Sequence, residues 1–81
     1  MADLCPCCGC RTLPVPQEEA VAFVCPVCFW ENDVFLPDEH TPSDENHGLT
    51  LGQARENFRR FGACLARFRG KVRPPTAEER R

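Results

Sequence analysis

Cys5-Pro6-Cys7-Cys8-Gly9 and Cys25-Pro26-Val27-Cys28 are two Cys-Pro-x-Cys elbows separated by the sixteen residues Gly9 to Val24. A pair of thiolates three positions apart can wrap one ion, and two such pairs complete the four-sulfur tetrahedron that structural Zn²⁺ prefers. Within each elbow Pro fixes φ, and in the first Gly9 permits the positive φ that turns the chain behind the second sulfur. The spacing therefore selects Cys5, Cys8, Cys25 and Cys28 as ligands of one Zn²⁺ per chain, with iron the less favoured metal.

Cys7 and Cys10 also stand in C-x-x-C register, but Cys7-Cys8-Gly9-Cys10 lacks the Pro and Gly of an elbow. They read as spare thiols beside the metal, with exchange for one of the four ligands left open. Cys64, far downstream in a helical pattern, reads as a small buried apolar residue. A disulfide framework is the competing account of seven cysteines in 81 residues. Against it stand the odd count, the paired spacing and an opening Met1-Ala2-Asp3-Leu4 with no basic or apolar leader character, so a reducing, cytoplasmic setting is expected. No stretch has the roughly twenty apolar residues of a membrane span. A chain this short buries only about 60% of its unfolded surface, and a metal staple would supplement its core.

The expected fold is α+β: a small zinc-ribbon-like β-hairpin carrying the two knuckles, then one C-terminal amphipathic helix. The β-prone runs Arg11–Pro16 and Ala20–Val24, separated by Gln17-Glu18-Glu19, supply the hairpin. Phe29-Trp30 leave the second knuckle as cover for the metal site or hairpin face. Residues 1–30 form the ribbon and residues 31–48 an acidic, solvated connector broken by Pro37 and Pro42. His40 and His47 lie in that connector; four thiolates already fill the shell, so neither is needed as a ligand. The helix spans 49–69, with Thr50 as N-cap, Gln53 at the capping-box position, and an apolar stripe of Leu51, Ala54, Phe58, Phe61, Leu65 and Phe68. Gly70 ends it. Residues 1–70 make one domain and residues 71–81 a flexible basic tail.

Charge divides the chain. Residues 1–48 hold nine acids and one base, whereas residues 49–81 hold three acids and nine bases, within an overall net charge of −2. Arg55, Arg59, Arg60, Arg67, Arg69, Lys71 and Arg73 could serve nucleic acid or an acidic protein. The preferred reading sets them against the chain's own acidic lobe, and the acidic pI of 5.6 argues against a dedicated nucleic-acid binder.

The chain resembles the bacterial cysteine-rich CPCC family. The matching stretches are Cys5-Pro6-Cys7-Cys8-Gly9, Thr12-Leu13, Cys25-Pro26-Val27-Cys28-Phe29-Trp30-Glu31, Thr50-Leu51, Ala54-Arg55, Asn57-Phe58 and Phe61-Gly62-Ala63, spread over residues 4–64. Cys10 stands where such sequences commonly have an aromatic, and Asn32 where they usually have an acid. The resemblance implies a small zinc-binding protein and brings no settled activity. Three functions follow in order of preference: a non-enzymatic adaptor or accessory factor with a protein partner, a nucleic-acid-binding ribbon, and a rubredoxin-like or thiol-redox protein. No catalytic residues are expected.

Overall fold

The computed structural model describes residues 3–80. Among these residues are one α-helix, α1 (Leu51–Phe61), and three short 3₁₀ helices, Gln17–Glu19, Asp44–Asn46 and Ala66–Lys71. Among the described residues there is no sheet; pairing is confined to the isolated antiparallel bridges Asp3↔Leu13, Val24↔Glu31 and Ser43↔Leu49. The hairpin expected between the two elbows is therefore not formed. Pro14 and Pro16 have no N–H to give to a ladder, and the polar Gln17–Glu19 closes a 3₁₀ turn instead, with Glu19 N–H donating to Pro16 O at 2.9 Å.

The chain pairs within each elbow rather than between them. In the first, Asp3 and Leu13 exchange backbone bonds of 2.9 and 3.2 Å, and Cys5 N–H donates to Cys10 O at 2.8 Å. In the second, Cys25 N–H donates to Trp30 O at 2.9 Å and Asn32 N–H to Phe23 O at 2.8 Å. Each elbow is thus a self-contained knuckle, and side chains join the two. The buried Asn32 amide donates to both Gln17 O and Ala20 O at 2.9 Å. Gln17 N–H donates to the Asp3 carboxylate at 3.0 Å, and its side chain to Leu4 O at 2.7 Å.

Helix α1 starts as its sequence dictates. Thr50 Oγ1 accepts from Gln53 N–H at 3.0 Å and the Gln53 side chain accepts from Thr50 N–H at 3.0 Å, satisfying two otherwise orphaned donors. It ends earlier than the expected 49–69. Gly62 takes the left-handed conformation at φ 78 and returns its N–H to Phe58 O at 2.8 Å. An unbroken helix over 49–69 would be about 30 Å long, while the whole molecule measures 31 × 27 × 17 Å. Breaking at Gly62 folds the second half of the apolar stripe back onto the same core. Ala63 and Cys64 are buried there, and Cys64 N–H donates to Cys28 O at 2.7 Å. Phe68, on the following 3₁₀ helix, rests against Phe29 with ring centroids 4.7 Å apart.

The connector is less solvated than its composition suggests, since Asn32, Ser43 and Asn46 are buried and fully hydrogen-bonded. The Asn46 side chain accepts from Glu31 N–H and donates to Glu31 O, both at 2.8 Å, taking the place of a neighbouring strand beside the second knuckle. The C-terminal segment, expected as a flexible tail, is placed across both knuckles. Arg73 N–H donates to Pro26 O at 3.1 Å, Arg11 N–H donates to Glu79 O at 2.7 Å, and the Arg73 guanidinium grips the Glu79 carboxylate at 2.8 and 2.9 Å. Among the described residues no helix is long and apolar enough to cross a membrane.

Candidate metal centre

Both knuckles close by the same backbone bond: Gly9 N–H donates to Cys5 O and Phe29 N–H to Cys25 O, each at 2.8 Å. That turn places the first and fourth side chains on one side of the chain, so Cys5 and Cys8 face Cys25 and Cys28. The four Sγ atoms lie within 4.8 Å of one another. The cross-knuckle pairs Cys5/Cys28 and Cys8/Cys25 are each 3.7 Å apart. A tetrahedron of sulfurs about 2.3 Å from a central ion has edges of about 3.8 Å, so the cross-knuckle spacing matches one and the four cysteines could hold a metal ion. Cys5, Cys25 and Cys28 are buried and Cys8 is half-buried.

Polar groups already point at one sulfur. Val27 N–H donates to Cys25 Sγ at 3.4 Å, and Thr12 Oγ1 lies 3.2 Å from it. As thiols the four titrate together: hydrogen bonds from Cys28, then Cys5 and Cys8, hold Cys25 far below the usual thiol range, while Cys5, Cys8 and Cys28 are pushed above it. The thiolate is the form that binds metal. Thr12 was not singled out by ligand spacing, because a hydroxyl thirteen positions from the sulfur it meets has no local signature.

The sequence model of a family described as Cysteine-rich CPCC matches residues 3–79. The chain belongs to the cysteine-rich CPCC family. No curated protein and no solved structure matches it. The CPCC run that names the family is the first knuckle, and the matched stretch extends through the C-terminal segment that binds Arg11 and Pro26.

The other cysteines of this CPCC chain stand outside the group of four. Cys7 is buried and Cys10 half-buried against the same core, and Cys64 is buried beside them. Burial, and secondarily the charge of Cys7, pushes the Cys64 thiol up to about 12, which keeps it protonated. His40 is exposed. His47 packs its ring on Phe68 at 5.5 Å and shares a 3.0 Å hydrogen bond with Arg67. Neither histidine belongs to the sulfur cluster. Trp30 is buried to 1% exposure and packs in one core with Cys5, Cys25, Cys28, Ala54 and Cys64.

The basic residues are distributed differently from the expectation that they answer the acidic connector. Arg55 does so, donating from Nε to Pro6 O at 2.9 Å and from a terminal nitrogen to Glu39 at 2.8 Å. Arg59 pairs with Glu56 on its own helix. Arg60, Arg67 and Lys71 instead cover the faces of Phe61, Phe68 and Phe29 at 5.3, 5.2 and 5.9 Å.

Proposed function

We propose that this CPCC protein is a structural zinc module: one Zn²⁺ held by Cys5, Cys8, Cys25 and Cys28 locks the two knuckles together, and the module acts as a non-enzymatic adaptor for a protein partner. The observation that carries the zinc reading is the cross-knuckle sulfur spacing of 3.7 Å. Four thiolates complete the shell of a tetrahedral ion and leave no open position for substrate, which supports a structural rather than a catalytic role. The metal would supply the long-range link that the isolated bridges do not, since two-stranded fragments are marginal in water.

The adaptor reading rests on what the molecule exposes. The Phe29-Trp30 edge offers little to a partner, because Trp30 is buried and Phe29 is covered by Phe68 and Lys71. Exposed apolar residues gather elsewhere, at Val21 and Phe35. Nucleic-acid binding is the weaker reading, since Arg55, Arg59, Arg60, Arg67, Lys71 and Arg73 all have partners within the chain. Metal analysis of protein purified from cells tests the first half: colourless protein with one zinc per chain is expected, and red, iron-loaded protein would replace the structural reading with a redox one. Electrophoretic shift against a random oligonucleotide pool tests the second. Tight selection of one sequence at about 150 mM salt would sink the adaptor reading.

A further inference from the structure

Val21 and Phe35 are the two most exposed large apolar residues among those described, at 60% and 84%, and they line one shallow depression of about 180 Å³ together with Ala22 and Val34. Phe35 is held there. Asp33 accepts from Phe35 N–H at 3.1 Å through one carboxylate oxygen and from Ser43 Oγ at 2.8 Å through the other, so the turn presents the ring to solvent in a fixed place. A lone exposed apolar residue needs no account, but a rigid aromatic with aliphatic neighbours is the kind of group on which protein contacts are centred.

The rim of the depression decides what fits. Glu31, Asp33 and Glu45 border it, and none of the three is in a salt bridge among the described residues. His47, which borders a neighbouring depression with Glu31 and Glu45, bonds to Arg67 instead. Burial, and then the facing Glu45, raise the Glu31 carboxyl above its usual range. Two carboxylates so placed repel, and a cation set between them relieves that repulsion. An acidic rim also disfavours nucleic acid and anionic lipid as occupants. A second copy is a poor source of the cation, since six of the chain's ten bases are already engaged: Arg55, Arg59 and Arg73 in salt bridges, and Arg60, Arg67 and Lys71 over aromatic rings.

We propose that this depression is where the adaptor takes its partner: a segment of another protein that lays an aliphatic or aromatic side chain on Val21 and Phe35 and sets a lysine or arginine between Glu31 and Glu45. The proposal rests on the adaptor reading and gives the partner its chemistry. One aromatic anchor and one ion pair at the rim make a small contact, with a dissociation constant on the order of 10–100 µM.

Panning a random-peptide phage library on the immobilised, zinc-loaded protein tests it. Selected peptides should carry Lys or Arg beside an apolar residue, and a synthetic peptide of that consensus should bind in calorimetry with an affinity that falls at about 0.5 M salt. Phe35→Ser and Glu45→Lys, both at exposed positions, should each weaken it about tenfold and leave the zinc content unchanged. Peptides that lack a base, or that bind both variants as well as the wild type, overturn the site and leave the adaptor reading standing. Selection of no peptide also overturns the site, and if a pull-down from native extract then yields no protein, the adaptor reading falls with it. Self-association in sedimentation velocity that Phe35→Ser abolishes would give the surface to a second copy and overturn the proposal as well.

Discussion

The two knuckles make one turn with different residues at its last position. Gly9 ends the first at φ 78, and Phe29 ends the second at φ 71. For an L-residue that conformation costs about 1–2 kcal/mol, whereas Gly meets no such penalty. Phe29 offsets the strain by its contact with Phe68 and by the Lys71 ammonium over its ring, a pair worth about 0.5–1.5 kcal/mol beyond its area. The first knuckle ends in Gly9 and leaves Cys8 half-buried, while Cys25 and Cys28 are fully buried beside Val27 and Trp30. Ligand geometry is thus a local property of the turn. The residue tolerated at its end depends on what the rest of the chain packs there.

Removing the metal should break the comparison altogether. With Zn²⁺ worth about 10–16 kcal/mol of apparent folding free energy in comparable sites, a chelator should unfold both knuckles while part of α1 persists. The near-ultraviolet dichroism of Trp30 should collapse, and thermal melting unchanged by chelation would refute the staple argument. Cys28→Ser should bind no zinc under native mass spectrometry. Cys8→Ser, at the exposed corner, should retain weak binding because water can take the fourth position.

Truncating the core of the second knuckle comes next. Trp30→Ala should cost about 3–5 kcal/mol in denaturant melts of the metal-loaded protein, because Trp30 contacts both sulfur pairs' core and α1 at 1% exposure. A cost near zero would show that the metal alone carries the second knuckle.

The turn residues themselves give a smaller and more diagnostic effect. Gly9→Ala should destabilise by about 1–2 kcal/mol, as a Cβ enters the left-handed region. At the equivalent place Phe29→Gly should cost less than Phe29→Ala, since both lose the Phe68 contact but only Gly relieves the backbone. The reverse order in thermal melts would mean that Phe29 carries no strain.

The smallest effect concerns the C-terminal segment lying over both knuckles. Arg73 holds the Glu79 carboxyl down to about 2 from an ordinary 4.5. A depressed acid contributes stability above its unfolded pKa of about 4.5, and that contribution fades as pH falls toward 2. Acid also protonates the cysteines and expels metal, so the pair is better read at neutral pH through Glu79→Gln. The melt should move little, whereas amide exchange at Arg11, whose N–H donates to Glu79 O at 2.7 Å, should speed up. Unchanged exchange would show that the salt bridge does not hold the segment in place.

The sequence by itself determined whatever depends on neighbours a few positions apart. The two elbows follow from Cys-Pro-x-Cys spacing, and the start of α1 follows from Thr50 and Gln53 three residues apart, because each is closed by bonds inside a single turn. Tertiary structure alone decided the rest. The sequence points to Gly70 as the helix end, but the chain turns at Gly62, and the residues beyond it return Cys64 and Phe68 to the cysteine core. Among the described residues the β-prone runs between the elbows form no ladder with each other. Glu31 found its partner in the Asn46 side chain fifteen positions on, and Arg11 in Glu79 at the far end of the chain. Such pairings have no period or spacing in sequence. They form where folding brings unsatisfied backbone groups together, and a buried N–H or C=O must be met by whatever lies opposite.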